Sequence, residues 1–276
     1  MKRVHSAGRL GNQLFSWAFA HYILHDEKKV NLVTYSSKIE LSHLLTGCNH
    51  IEIHTISLKL KLKMQIFFKF YHRFRILTPL ISKIFKVTSE PELLYLNDSK
   101  DYCGYFQKYD YISNNKELLF NELTKSLIGI ELPSLFTDWQ DSHEFQCFHI
   151  RRGDFLLPEN SGYGLLSIEW YRSYKKDNLK TVIVTDDKIG ASALLRVFED
   201  CLILGPEEAD AFQTLSIMGK SDHLVAANST LSWWGGFLVA MRGKSVVYPV
   251  SEIEKHRDIN FPMFKLKEAI YESRDK

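Results

Sequence analysis

The sequence has few cysteines and none of the common metal or nucleotide motifs. Its four cysteines, Cys48, Cys103, Cys147 and Cys201, are widely spaced among 276 residues, and no C-x-x-C pair occurs. This scatter argues against a secreted disulfide framework, so we expect reduced, mostly buried thiols. No D-x-D, Walker A or G-x-G-x-x-G sequence is present, and no His/Cys cluster has metal-ligand spacing. We therefore expect no cofactor and no metal.

The sequence also lacks a membrane span, a secretion signal and a large net charge. No stretch of about 18 or more apolar residues occurs, and the N-terminus MKRVHSAGRLG has no apolar signal-peptide core. The formal net charge is +2, without the basic excess that is typical of proteins that bind nucleic acid. We expect a cytoplasmic protein with no nucleic-acid partner.

The segment of residues 53–89 is basic and has no acidic side chain. It contains eight Lys or Arg residues, which are mixed with aromatic residues. Such a basic, amphipathic patch could contact anionic lipid peripherally, at the inner face of the cytoplasmic membrane. Alternatively, it could form helices whose basic face is simply solvated, and the K-L-K-L-K alternation at 59–63 is closer to a strand pattern. The sequence leaves both interpretations open.

The order of apolar segments predicts an α/β protein. A short strand at 4–7, a helical pattern at 12–27 and a β-rich segment at 30–35 form a βαβ start. From residue 145 to 249, strand and helix patterns alternate, which predicts a doubly wound parallel sheet. A boundary near 135–144 gives an N-terminal domain of residues 1–140 and a C-terminal domain of residues 141–276. Ligands in such sheets bind at the carboxyl ends of the strands.

The segment HIRRGD follows the predicted strand EFQCFHI. His149 and Arg151 are two residues apart and share one face of the strand. Gly153 permits a sharp turn, and Asp154 can brace an arginine. A fixed guanidinium beside an imidazole suits a phosphate. The alternative is an ion pair between Arg151 and Asp154 that only holds the loop, and the residues alone do not decide between the two.

The segment NSTLSWW follows another predicted strand, DHLVAAN. Asn228, Ser229 and Thr230 are at the position of a helix N-cap, where hydroxyls and exposed backbone N–H groups can bind phosphate. Trp233 either packs the helix or flanks the ligand. The alternative is ordinary helix capping with tryptophans in the core.

A third polar segment, TDD, ends the predicted strand KTVIVT. Its Asp187 can accept hydrogen bonds from a ribose or a base, or it can cap the next helix. Because parallel strands end at the same edge of a sheet, the three segments together predict a site for a nucleotide diphosphate. An arginine and a helix dipole, and not a metal, would neutralise that diphosphate.

These segments resemble the motifs of a known family. GRLGNQLFSWAFAH resembles the N-terminal motif of the bacterial α-1,2-fucosyltransferases of glycosyltransferase family 11. HIRRGDF resembles the family's central motif and ANSTLSWWGGFL its C-terminal motif, while CGYFQKYDYI and TVIVTDD match smaller signatures in the same order. The resemblance spans nearly the whole chain except residues 50–90. Arg9 departs from it, because the form GR-x-GNQ is similar to that of protein O-fucosyltransferases.

The resemblance implies a GT-B-like fold of two Rossmann-type domains facing a cleft. The C-terminal domain would bind GDP-β-L-fucose, and the N-terminal domain would lie on the acceptor side. The implied reaction transfers fucose with inversion to the 2-hydroxyl of a galactoside, in a galactose-terminated oligosaccharide or a lipid-linked glycan, without a metal. Two alternatives remain, namely another acceptor (a protein hydroxyl or a chitin-type oligosaccharide) and a non-catalytic protein that binds a nucleotide sugar or a glycan.

The resemblance also implies roles for individual residues of the C-terminal domain. Arg151 falls on the arginine that holds the diphosphate in related fucosyltransferases, and His149 falls beside it, near the nucleotide. Ser229 and Thr230 fall on the phosphate-binding helix start.

The amides of the N-terminal motif and the catalytic base are further candidates. Gly11, Asn12 and Gln13 would lie at the cleft, where Asn12 either binds fucose hydroxyls or a phosphate oxygen or merely caps its helix. For the base we consider Glu159, in a loop that contains proline and glycine, and Asp154. Asp154 would be paired with an arginine and hence a weak base.

Overall fold

A computed structural model shows two parallel α/β sheets. The chain divides into two compact units, Met1–Glu122 and Leu123–Lys276. The sequence places the domain boundary somewhat later, at residue 140. The structure describes residues 2–6, 8–24, 29–34, 41, 50–55, 62, 66, 88–89, 101–140, 144–158, 165–195, 198, 201–249 and 269–272.

The N-terminal unit contains a five-stranded sheet with the strand order β3-β2-β1-β5-β4, in which every pairing is parallel. Its described elements are β1 (Lys2–Ser6), α1 (Leu10–Leu24), β2 (Val30–Thr34), β3 (Ile51–Thr55), β4 (Thr88–Ser89), β5 (Asp101–Cys103), α2 (Asp110–Ser113) and α3 (Lys116–Ile128), the last of which crosses the division between the units.

Helix α1 lies inside this unit and is buried on nearly every side, including Trp17 and Phe19. The ring of Phe19 stacks on that of Phe106, with 4.1 Å between the centroids and 4° between the planes. A helix that is apolar all round is typical of a buried position. It begins at Leu10, two residues before the start that the sequence predicts.

A partly buried network of hydrogen bonds joins β1 to β5. Asp101 accepts hydrogen bonds from Arg3 Nη2 at 2.6 Å and from His5 Nε2 at 2.7 Å. Burial alone would raise the pKa of Asp101, but the hydrogen bonds from His5 and Arg3 outweigh it and hold that pKa below its usual value. The network fixes the register of the two strands whose carboxyl ends carry the polar residues of this unit.

The C-terminal unit contains a six-stranded sheet with the order β11-β10-β9-β6-β7-β8, again entirely parallel. Its described elements are α4 (Ser134–Gln140), β6 (Phe145–Ile150), α5 (Ile168–Arg172), β7 (Lys180–Thr185), α6 (Lys188–Leu195), β8 (Cys201–Leu204), α7 (Ala211–Lys220), β9 (His223–Val225), α8 (Thr230–Met241), β10 (Ser245–Pro249) and β11 (Ala269–Glu272).

This order is that of a Rossmann sheet. Read from β8, the strands follow the pattern 3-2-1-4-5-6 of dinucleotide-binding domains. The chain leaves β6 on one side and returns on the other at β9, so the switch point lies between β6 and β9. In the N-terminal unit, β1 and β5 flank the corresponding switch point. Ligands bind outside the carboxyl ends of the strands at such points.

A cluster of buried residues fixes the central strands of the C-terminal unit. Phe148 and Ile150 of β6 pack in one cluster with Ile183 of β7, Val225 of β9 and Trp170 of α5. Because interiors are close-packed, this cluster holds the ends of the three strands in fixed relative positions. The loops that follow the strands therefore start from a rigid edge.

Helix α8 approaches β10 closely. A Cβ atom on Gly236 would overlap the hydroxyl of Tyr248, which donates a hydrogen bond to the Trp233 carbonyl at 2.8 Å. Gly236, the second glycine after the tryptophan pair, is therefore required for this contact. It brings the start of α8 against the sheet.

The sequence predicts most elements from residue 145 onward, including β7 at its observed bounds. The pattern IEWYRSYKKDN predicts a longer helix than the observed α5, which ends at Arg172. The strands β3, β4, β5 and β11 were not predicted. Cys103 is buried, and Cys147 is a buried free thiol. No helix in the part of the chain that the structure describes is long and apolar enough to cross a membrane.

Candidate functional site

Arg151 links the loop after β6 to the loop after β7. Its Nη1 lies 2.9 Å from Asp186 Oδ2, and its Nη2 donates to Asp154 Oδ1 at 2.6 Å. The side chain is 15% exposed, so water screens these pairs only in part. The predicted ion pair of Arg151 with Asp154 is confirmed, and among the described residues Arg151 also pairs with Asp186.

Asp186 also holds the turn that begins after Arg151. Its Oδ1 accepts the backbone N–H groups of Arg152 at 2.8 Å and Gly153 at 3.1 Å. A Cβ on Gly153 would lie 2.6 Å from Asp186 Oδ2, so glycine lets the carboxylate approach the backbone. Asp186 was not predicted as a site residue. The T-D-D segment offers two adjacent carboxylates, and the sequence does not tell which one faces β6.

Asp187 caps helix α6. Its Oδ1 accepts the backbone N–H of Gly190 at 2.9 Å, and its Oδ2 lies 3.4 Å from Arg152 Nε. This geometry supports the capping interpretation of Asp187. Contact of Asp187 with a ribose or a base stays a prediction.

The Nε–H of Arg151 is a buried donor that its ion pairs do not use. Its Nε is buried and has no hydrogen-bond partner among the described residues, and the guanidinium carbon lies 5.6 Å from the centroid of the Phe155 ring. A buried donor without an acceptor costs about 1–3 kcal/mol. An acceptor atom of a ligand would recover this loss, so the two ion pairs of Arg151 are compatible with anion binding.

A hydrogen bond between His149 and Ser232 joins β6 to α8. The Nδ1 atom of His149 and the Oγ atom of Ser232 are hydrogen-bonded, and Ser232 Oγ also accepts the backbone N–H of Ala227 at 2.9 Å. The two motifs that follow β6 and β9 therefore meet directly at the switch point of the sheet.

His149 is neutral at physiological pH. The residue is 3% exposed, and this burial, together with the charge of Arg151, lowers the pKa of His149 to about 4 against a partial opposing effect of Asp186. The imidazole therefore adds no positive charge to the site. It contributes a fixed polar group and a link to α8.

The start of α8 presents backbone donors. Ser229 is the N-cap, and its Oγ accepts the N–H of Ser232 at 3.1 Å. The first hydrogen bond of the helix backbone runs from Trp233 N to Ser229 O. The N–H groups of Thr230 and Leu231 precede this bond and point out of the helix start, where the helix dipole is positive. Such a terminus suits a phosphate.

Two predicted binding residues of this segment are largely buried. Asn228 is 7% exposed and Trp233 is 6% exposed. The Trp233 ring stacks on Phe237, with 5.6 Å between the centroids. These contacts favour the packing interpretation of Trp233 over contact with a ligand.

The N-terminal motif forms a second polar cluster, at the carboxyl edge of β1. Gln13 is completely buried and donates from Nε2 to the Gly8 carbonyl at 3.1 Å, so it stabilises the turn. Gly11 is buried in the first turn of α1. Asn12 is half-buried and accepts a hydrogen bond from Gln107 Nε2 at 3.0 Å. Gln107 was not predicted, although it lies in the segment CGYFQKYDYI.

Two predicted features lie wholly or mostly outside the residues that the structure describes. Glu159 lies outside the described residues, as does most of the basic segment 53–89. Within the described ranges, no group of three or more His, Cys, Asp or Glu side chains is arranged to hold a metal ion.

Comparison with known proteins shows that the chain is similar to a glycosyltransferase. No protein-family model matches the sequence. The chain is 24% identical over 286 residues to the O-antigen biosynthesis glycosyltransferase WbnK of Escherichia coli, which covers 88% of this chain and 92% of WbnK. This identity extends over nearly the full length of both proteins.

Solved structures share the fold. The glycosyltransferase family 9 protein of Veillonella parvula matches with a TM-score of 0.54 and 12% identity, over 99% of this chain and 87% of that one. Fucosyltransferase NodZ from Bradyrhizobium matches with a TM-score of 0.52 and 11% identity, over 87% and 94%. NodZ α-1,6-fucosyltransferase soaked with GDP-fucose matches with a TM-score of 0.50 and 12% identity, over 87% of this chain and 93% of that one.

The chain is a glycosyltransferase homologue with a GT-B fold. The fold prediction is confirmed, since both units are Rossmann-like and parallel.

The low pKa of His149 predicts a stability that depends on pH. The unfolded chain takes up a proton on this residue below about pH 6.5, whereas the folded protein resists it down to about pH 4. The free energy of unfolding should therefore decrease as the pH is lowered through this window. His149 would account for about 2 kcal/mol of the decrease between pH 7 and pH 5. Urea denaturation at both pH values should show a smaller fall for His149→Gln than for the wild type. Equal falls would contradict the prediction.

Proposed function

We propose that the protein transfers L-fucose from GDP-β-L-fucose to the 2-hydroxyl of a galactoside in a surface glycan, as a member of glycosyltransferase family 11. The observation that carries this proposal is the hydrogen bond between His149 and Ser232, because it joins the central and C-terminal motifs at the switch point of a Rossmann sheet. Further support comes from WbnK, an O-antigen biosynthesis glycosyltransferase. NodZ, a fucosyltransferase of related fold, has been soaked with GDP-fucose.

The diphosphate would bind between Arg151 and the start of α8. The Nε–H of Arg151 has no hydrogen-bond partner among the described residues, and the N–H groups of Thr230 and Leu231 precede the first backbone hydrogen bond of α8. Ser229 and Thr230 add hydroxyls, and Asn228 precedes them in the chain. Donors fixed in advance stabilise the charge that develops on GDP as the bond to fucose breaks.

The ion pairs of Arg151 fit this role. Asp154 and Asp186 each engage one terminal nitrogen of the guanidinium, which fixes its plane, and neither is hydrogen-bonded to Nε. A planar guanidinium can make these contacts simultaneously, whereas a lysine ammonium has neither the fork nor the fixed plane. Orientation, more than net charge, is thus the contribution of this residue to donor binding.

Fucose would leave GDP ahead of full attack by the acceptor, which gives oxocarbenium character at the anomeric carbon. A strong base is then unnecessary, and Glu159 and Asp154 remain the candidates for accepting the proton. The acceptor we propose is a galactose-terminated oligosaccharide or a lipid-linked glycan. A lipid-linked acceptor agrees with the peripheral contact that residues 53–89 would make at the inner face of the cytoplasmic membrane.

The proposed acceptor can be tested with a panel. Purified protein with GDP-fucose should fucosylate a β-galactoside, and the matched 2-deoxygalactoside should accept nothing, because it lacks the attacked hydroxyl. NMR of the product should show an α linkage. Transfer to a chitin oligosaccharide or a peptide hydroxyl instead would assign a different acceptor. Binding of GDP-fucose without transfer or hydrolysis would indicate a non-catalytic protein.

Substitution of Arg151 should nearly abolish transfer. Arg151→Ala and Arg151→Lys both lose the fixed guanidinium, so we expect losses of roughly a hundredfold or more in kcat/KM. Arg152→Lys is the matched control and should stay within a few-fold of the wild type, because Asp186 binds the backbone of Arg152 and not its side chain. Retention of about a tenth of the activity by Arg151→Lys, with an unchanged Tm, would refute the phosphate role.

Transfer should not require a divalent metal. We expect full activity in excess EDTA, because Arg151 and the amides at the start of α8 meet the charge on the leaving GDP. The measurement is the initial rate with and without EDTA, with the Tm as a control for structural effects. A loss of activity that magnesium or manganese restores would show that the proposal of metal independence is wrong.

A further inference from the structure

Asn12 and Gln107 meet at the switch point of the N-terminal sheet. Strands β1 and β5 are parallel neighbours, and the chain passes from their carboxyl ends into the segments that carry Asn12 and Gln107. Gln107 Nε2 donates to Asn12 Oδ1 at 3.0 Å across 95 residues of sequence. The pair therefore occupies the edge where Rossmann-type sheets bind ligands.

The backbone beside Gln107 is strained. Phe106 has a φ of 52°, in the left-handed region that a bulky side chain rarely adopts, at a cost of the order of a hydrogen bond. Its ring is locked against Phe19 of α1, and Gln107 itself is 7% exposed. Such strain persists only where the surrounding structure imposes it, and here it lies directly before the residue whose amide donates to Asn12.

The nitrogen of the Asn12 amide is confined from the other side. Gly8 has a φ of 86°, and a Cβ on it would overlap Asn12 Nδ2. Gln13 holds this glycine turn through its bond to the Gly8 carbonyl. The carboxamide of Asn12 thus has its oxygen bound by Gln107 and its nitrogen in space that only a glycine leaves open.

We propose that Gln107 is a positioning residue that fixes the Asn12 carboxamide so that Asn12 presents its N–H donors, and not its oxygen, to a substrate. The substrate group is then an oxygen with free lone pairs, on a sugar or on a phosphate. The inference rests on the proposed function only in taking the substrates to be a nucleotide sugar and a glycan. It gives Gln107 a role in transfer that is independent of Arg151.

Two substitutions separate this role from simple packing. Gln107→Met keeps the length of the side chain but removes its donor, so the Asn12 amide becomes free to turn. Gln107→Glu has only acceptor oxygens once its carboxyl is ionised, so the variant is measured at increasing pH until its activity is constant. Asn12 must then turn its nitrogen toward the carboxylate and its oxygen toward the substrate. We expect kcat/KM to fall roughly 3- to 10-fold for Gln107→Met and roughly 100-fold for Gln107→Glu.

Gln146→Glu is the matched control. Gln146 is a completely buried glutamine of β6 that binds the carbonyls of Lys176 and Leu179, so the same substitution reports what loss of stability alone does to activity. If activity follows Tm in the same way for the Gln107 variants and for Gln146→Glu, or if Gln107→Glu stays within threefold of the wild type, the proposal is overturned.

The change in KM shows whether the oxygen that Asn12 binds belongs to the donor or to the acceptor. A rise in the KM for GDP-fucose would place it on the donor, and a rise in the KM for the galactoside would place it on the acceptor. GDP affinity, measured by calorimetry, tests the site at Arg151 separately, so a protein that binds no GDP would contradict the proposed function without bearing on Gln107.

NMR tests the amide orientation without any substrate. The side-chain NH₂ signals of Asn12, assigned by their loss in Asn12→Asp, should shift downfield and exchange more slowly in Gln107→Glu, because they then donate to the carboxylate. Unchanged Asn12 signals in this variant would overturn the proposal, whatever sugar the protein transfers.

Discussion

The carboxylate of Asp186 organises the candidate site of the C-terminal unit. One oxygen accepts two consecutive backbone N–H groups, those of Arg152 and Gly153, and the other pairs with Arg151. A buried or half-buried guanidinium needs such partners, since an unpaired charge at the edge of a core is expensive. The same interaction shapes the turn after β6 and sets the plane of the arginine, so the proposed phosphate contact depends on a residue that would not itself touch phosphate.

The link from β6 to α8 is made by neutral groups. The loops after β6 and β7 already carry two arginines and three aspartates in contact, and burial keeps the imidazole of His149 uncharged beside them. A neutral imidazole can bond Ser232 without a further buried charge that would need its own partner. The helix start is thereby tied to β6 at His149, two residues before Arg151, whether or not an anion is present.

The two switch points differ in chemistry. In the C-terminal unit, charged side chains and a helix start face the edge of the sheet, which suits a diphosphate. In the N-terminal unit the edge carries the amides of Asn12 and Gln107, which recognise oxygen atoms by direction without attracting charge. This division agrees with a reaction between a charged nucleotide sugar and a neutral glycan.

The sequence by itself determined the parallel α/β architecture, because the period of apolar residues and the turn residues between segments are local signals. It also placed HIRRGD, TDD and NST at the carboxyl ends of strands, because each polar segment directly follows an apolar strand in the chain. Only the tertiary structure decided that Asp186 and not Asp187 meets Arg151, that Trp233 packs inside, and that Gln107 binds Asn12. These contacts depend on which strands are neighbours and on the direction of each side chain, and a pairing across 95 residues leaves no local pattern.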